Sequence, residues 1–172
     1  MATSLNGEIE QHGDLTLTSP AFDDGTRMPD SVGFVNENAN PRLDIGGIPE
    51  GTASLVLILD DPDAEPVAGH TFDHWLVWDI DPDIGSVPEG WSADGNGAVV
   101  GYNDFVEQDY GGPSPPEGSH DYRFKLLALD STLEMPPETR KARLGSAIAM
   151  EAEILGATQL VGSYDASQGT AF

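Results

Sequence analysis

The chain has 172 residues, with 30 Asp and Glu against 7 Lys and Arg, a formal charge of −23 and no Cys. Such a length suits one domain with core enough to need no disulfide or metal. The charge rules out a conventional nucleic-acid binder, because nothing here replaces the counterions of phosphate, and argues against docking on anionic lipid. The longest apolar run, Leu55 to Leu59, is far short of a membrane span. Met1 to Asp14 have no basic start and no apolar core, so no secretory signal is expected. A cytoplasmic location is the expectation, and it suits the absence of Cys. The acids are spread from Glu8 to Asp165 among 38% hydrophobic residues, which argues for a folded chain rather than an acidic disordered one. Only two residues are Lys, while 18 are Asp. A surface so poor in Lys and rich in Asp is expected of a protein kept soluble in concentrated salt, where self-repulsion is screened.

Along the chain, Leu15-Thr16-Leu17-Thr18 alternates as a half-buried strand does. Residues 19–54, dense in Asn, Gly and Pro, read as loops with short extended pieces. Leu55 to Leu59 suits a central strand covered on both faces. His74 to Ile80 is a strand stopped by Asp81-Pro82, and Ala98 to Tyr102 is a further short one. His120, Tyr122 and Phe124 alternate with Asp121, Arg123 and Lys125; this period of two predicts aromatics on one face and charges in water. Leu144, Ile148 and Leu155 carry a helical period that Gly156 can stop, and Gln159 to Tyr164 returns to strand. The fold class expected is one mostly antiparallel β domain with a late helical segment.

Several motifs invite chemistry. His70 and His74 have the spacing of a zinc-binding helix, but on a strand they stand about 13 Å apart, and no third ligand is evident. Asp79, Asp81 and Asp83 imitate the start of a calcium loop, yet Ile84 stands where its Gly is needed and Gly90 where its Glu is needed. Ser114 is no nucleophile elbow, because Pro116 replaces the Gly two residues on. The same segment, Gly112-Pro113-Ser114-Pro115-Pro116, makes a stiff wall. The N–H groups of Gly111, Gly112, Ser114 and Gly118 are left to face a ligand, an anion cradle beside His120 or an ordinary surface loop. Asp61, at the end of the apolar strand, suits either orienting a histidine or capping a turn.

Taken in order, Asp61-Pro62-Asp63-Ala64, His74-Trp75-Leu76-Val77-Trp78, Gly112-Pro113-Ser114-Pro115-Pro116 and His120-Asp121-Tyr122-Arg123-Phe124 resemble the signature blocks of a family. Leu17 to Phe22, Asn38 to Pro41, Leu127 to Asp130 and Gly162 to Tyr164 extend the likeness over roughly residues 15–165. The chain resembles the phosphatidylethanolamine-binding protein family in its bacterial and archaeal Raf-kinase-inhibitor-like branch. The resemblance implies a large antiparallel sheet, a smaller sheet and peripheral helices. It also implies a small anion pocket for phosphate-like or carboxylate groups, lined by Asp61, His74, Pro115, His120 and Tyr122, with Gly112 and Ser114 in its loop. No catalytic residue, metal or cofactor is implied. Three residues depart from the family pattern: Glu65 precedes Pro66, Asp121 stands where Arg is common, and Glu153 replaces a helix-borne His.

The expected function is a non-enzymatic binding module for a small anionic or phosphorylated ligand, held by backbone amides, the Tyr122 hydroxyl and an imidazole that Asp61 orients. One alternative is an inhibitor of a protease or kinase acting through the loop Glu107 to Glu117. A weaker one is a hydrolase using Asp61 with His74. A homodimer is a further expectation from related prokaryotic proteins.

Overall fold

The apolar run forms the middle of a six-stranded sheet, strand β4 (Ser54–Asp61), buried along its whole length. The computed structural model describes residues 5–169. In chain order the strands are β1 (Thr16–Thr18), β2 (Thr26–Arg27), β3 (Leu43–Gly46), β4, β5 (Phe72–Ile80), β6 (Ser86–Val87), β7 (Val99–Val100), β8 (Ser119–Leu129) and β9 (Ile154–Asp165). Short helix α1 (Glu65–Ala68) precedes β5, α2 (Lys141–Glu151) lies between β8 and β9, and α3 (Ala166–Gly169) follows β9. The large sheet runs β2-β9-β8-β4-β5-β7 and the small one β1-β3-β6. All ladders are antiparallel except that of β2 with β9. The expected fold class is what the structure shows.

Each face of the large sheet carries its own core. Leu55, Leu57 and Leu59 pack with Trp75, Phe124 and Leu126 beneath Leu17, Leu43 and Val87 of the small sheet. Val56 and Ile58 pack with Leu76, Trp78 and Leu127 beneath Leu144 and Ile148 of α2. This is why β4 reads as unbroken Leu, Val and Ile: both its faces are covered.

Two sequence expectations need correction. The helical period does not run to Leu155: α2 ends at Glu151, Ala152 caps it in extended conformation, and Gly156 lies inside β9. Leu155 continues the spacing by coincidence. Nor do the charged residues alternating with the β8 aromatics all reach water, since Arg123 is 7% and Lys125 0% exposed and only Asp121 is at the surface. The reason is Asp60, which faces the same side and gathers them. Arg123 grips Asp60 through two hydrogen bonds (2.7 and 3.1 Å), and Lys125 Nζ lies 2.7 Å and Lys141 Nζ 3.2 Å from Asp60 Oδ2. Lys141 also pairs with Asp73. Lys125 and Arg123 further donate to the carbonyls of Leu5 and Asn6, tying the start of the described chain to this face.

Candidate functional site

Where the ion cluster occupies one face of the sheet end, a cavity of about 260 Å³ opens on the other. Neighbours on β4 divide the work: Asp60 points into the cluster and Asp61 into the cavity. From β8, His120 and Tyr122 face the cavity, as their period of two requires.

β5 does not follow simple alternation. Leu59 pairs with Trp75 but Asp60 pairs with Asp73, so His74 is an extra residue in the strand. Strict alternation from Leu76 and Trp78 would aim His74 at the α2 face. The bulge turns it to the cavity side together with Phe72 and Trp75, as bulges beside functional sites do.

Each imidazole is anchored through Nδ1. His120 Nδ1 lies 2.6 Å from Asp61 Oδ2 and His74 Nδ1 2.8 Å from the Gly111 carbonyl oxygen. The Gly111 N–H returns a bond to the His74 carbonyl (3.0 Å), locking the loop to the bulge. Both Nε2 atoms are left without a partner among the described residues. Burial pushes the His74 imidazole down to about 4, against the smaller lift from its bonds to the Gly111 and Gly112 backbone. His74 is therefore neutral at pH 7, with its proton on Nδ1 and a lone pair on Nε2. Asp61 is held above the usual carboxylate range by burial, which outweighs its bond to His120. Asp61 also caps the turn, accepting the Asp63 N–H (2.9 Å), so it fills both roles its position suggested. The Tyr122 hydroxyl is sealed from solvent and closes no hydrogen bond, although Asp61 and the Ser114 N–H are its polar neighbours. Burial pushes its ionisation well up, so it stays a donor.

Of the residues singled out from sequence, the cavity brings together Asp61, His74, Ser114, Pro115, His120 and Tyr122. Gly112 is not in its wall. It is buried, its N–H donates to Asn38 Oδ1 (2.7 Å), and a Cβ there would collide with the Val32 carbonyl. With the Gly111 and Gly112 amides both engaged, the loop is not an open row of donors. The orienting partner of Asp61 is His120, so the Asp61–His74 pair imagined for a hydrolase does not exist. Glu153 is exposed, lies beyond α2 and bonds Asp130 through its backbone, at the far end of β8 from His120. Its substitution leaves the cavity untouched. Glu65 opens α1, so Ala64, Val67 and Ala68 form that wall. Asp121 points out, its N–H on Asp63 Oδ2. The zinc motif also separates: His70 is exposed, and its ring bonds the Thr71 carbonyl and lies near Asp104.

Sequence reasoning missed the aromatic wall. Phe105 stacks on Phe34 (4.4 Å between centroids) and meets Phe72 (4.8 Å) and His74 (5.5 Å) edge-on. Asn103 positions it by accepting the N–H groups of Phe105 and Glu107 and donating to the Asp109 carbonyl. An Asn capping its own loop two residues on was the available signal.

The phosphatidylethanolamine-binding protein family model matches residues 18–165. A UPF0098 protein from Methanothermobacter thermautotrophicus is 38% identical over 153 residues, covering 87% of this chain and 98% of that one. A Mycobacterium tuberculosis protein named as a lipoprotein, LppC, is 37% identical, covering 88% of this chain and 72% of its own. Among solved structures, the phosphatidylethanolamine-binding protein homologue CT736 from Chlamydia trachomatis has a TM-score of 0.81 at 31% identity, over 89% of this chain and 98% of that one. YbcL of E. coli has a TM-score of 0.80 at 28% identity, over 89% and 99%. With the two sheets, the bulged β5 and the match along residues 18–165, the chain belongs to the phosphatidylethanolamine-binding protein family, in its bacterial and archaeal branch.

Proposed function

We propose that this is a non-enzymatic binding protein whose cavity holds a small anionic group, a phosphoryl or a carboxylate. The observation that carries the reading is the 2.6 Å Asp61–His120 contact beside an unpartnered, buried Tyr122 hydroxyl. The Asp61–His120 contact holds one proton between Oδ2 and Nδ1, which leaves the His120 Nε2–H to donate to an anion. Tyr122 supplies a second donor. Neutral His74 supplies an acceptor, which suits a singly protonated phosphoryl group or a carboxylic acid better than a fully ionised one. The singly protonated form of a phosphoryl ligand is lost as pH rises above about 6, so phosphate affinity falls from about pH 6 to 8.5.

The test titrates phosphoethanolamine, phosphate and acetate in about 2 M KCl, where surface repulsion is screened, while NMR follows the His74 and His120 ring signals. Saturable shifts in both rings are expected, abolished in His120→Ala and weakened about tenfold in Tyr122→Phe, the loss of one charge-assisted hydrogen bond. Histidines that stay still at millimolar ligand, or a phosphate affinity independent of pH, overturn the reading.

One observation favours the inhibitor reading as well. Val106 is 65% exposed and held at φ 63°, a costly conformation for a β-branched residue. A preformed strained loop suits partner recognition, but the recognising part differs from the loop first expected. Tyr110 to Pro113 are buried, leaving Glu107 to Asp109 and Ser114, Pro116 and Glu117 to offer. An inhibitory activity that survives His120→Ala and disappears in Val106→Gly is the result this reading expects.

A further inference from the structure

A second cavity, about 350 Å³ and mostly polar, lies beside the edge of the sheet at β5 and β7, and the phosphoryl or carboxylate reading does not use it. Trp75 and Trp91 wall it, with rings at 78° to one another and centroids 6.4 Å apart, and Ser92, Asp94, Gln108 and Asp109 complete it. Trp75 is 1% exposed. Its indole N–H has no partner among the described residues, yet it is not sealed in the core as the Trp78 N–H is. A donor on an otherwise buried ring, bonded to no protein acceptor and still reachable from outside, is free to bond a ligand oxygen.

The opposing groups are acceptors. Asp94 spends Oδ1 on the Ser92 hydroxyl and the Gly95 N–H, and Asp109 spends Oδ1 on the Tyr110 N–H, so each keeps Oδ2. The Gln108 side-chain N–H groups donate to the carbonyls of Pro137 and Val100, which leaves Oε1. The loop is held open independently of any ligand, because Asn40, itself 1% exposed, accepts the Trp91 backbone N–H and donates to the Pro88 carbonyl.

This combination of groups selects a ligand class. An anion meets two carboxylates and a single donor. An organic cation satisfies the carboxylates but leaves the Trp75 N–H unbonded. A hydroxyl accepts from Trp75 and donates to Asp94, Asp109 or Gln108, and a row of hydroxyls on a carbon ring also brings C–H faces to the half-buried Trp91. The volume lies in the range of small-molecule sites. We infer that this cavity is a binding site for a neutral polyhydroxylated molecule, a monosaccharide or cyclic polyol.

The experiment follows the indole N–H signals of the three Trp by ¹⁵N-resolved NMR while glucose, myo-inositol and, separately, tetramethylammonium are added to tens of millimolar. Trp75→Phe assigns the signal. Saturable movement of the Trp75 and Trp91 signals with glucose or inositol, and a still Trp78 signal, is expected. Asp109→Asn, at an exposed position that leaves the fold intact, weakens it about tenfold. Movement with tetramethylammonium alone, or no movement with any of the three, overturns the inference.

Discussion

His74 is the residue whose protonation the fold opposes most directly. Its pKa of about 4 in the folded chain, against 6.5 when unfolded, means that below pH 6.5 the unfolded state takes up a proton the folded state refuses. The stability it secures is complete above pH 6.5 and is lost as pH falls toward 4, about 3 kcal/mol in all. Asp61 and Asp73, both raised by burial, contribute the opposite slope, so the comparison must be with a variant. His74→Gln keeps a donor for the Gly111 carbonyl, and urea unfolding should show it losing less stability than the parent between pH 6.5 and 4. Equal slopes would mean that the ring titrates as in water. At this scale much of the site was legible: Asp61, His120 and Tyr122 follow from strand end and alternation. The neutrality of His74 was not, because it depends on how completely Phe72, Phe105 and Tyr122 cover the ring. The burial of Arg123 and Lys125 was hidden too, since only the register Asp60↔Arg123 sets them against their counter-charge.

The elements that shape the cavity are two loops and one irregular strand. β1, β4 and β8 were readable because each follows a pure pattern, alternation or an unbroken apolar run. The β5 bulge was not, since one inserted residue leaves composition unchanged and reverses the face of all that precedes it. The loop Gly112–Pro116 was recognised as stiff, but its attachment to Gly33–Asn38 is a contact between segments some 75 residues apart, which no local pattern reports. Gly112→Ala tests that attachment. Its Cβ pushes against the Val32 carbonyl and the Phe34 N–H, so the loop must retreat, at about 1–3 kcal/mol in thermal unfolding. The same retreat carries Ser114 and Pro115 out of the cavity wall, so affinity for phosphate should drop with the sheet intact. Full affinity in this variant would show that the loop position does not matter to the cavity.

For the molecule as a whole, the charge is sorted rather than spread. Three of the seven cations lie in the Asp60 cluster, and the exposed ones are Arg27, Arg42, Arg140 and Arg143. The remaining charged groups on the described surface are almost wholly carboxylates. Screening shortens from about 10 Å at 0.1 M salt to about 3 Å at 1 M, so the melting temperature should climb with KCl over that range. A flat response would show that surface repulsion does not limit this fold. Composition made the acidity plain, but not where the few cations went. Their placement reaches into the chemistry of the protein. Both lysines, Lys125 and Lys141, are at most 4% exposed, and Lys125 is held near 8 by burial. Acylating reagents, acetyltransferases and ubiquitin ligases find no lysine side chain to modify among the described residues until the Asp60 cluster opens, so an acylated lysine on this chain records that it has been unfolded.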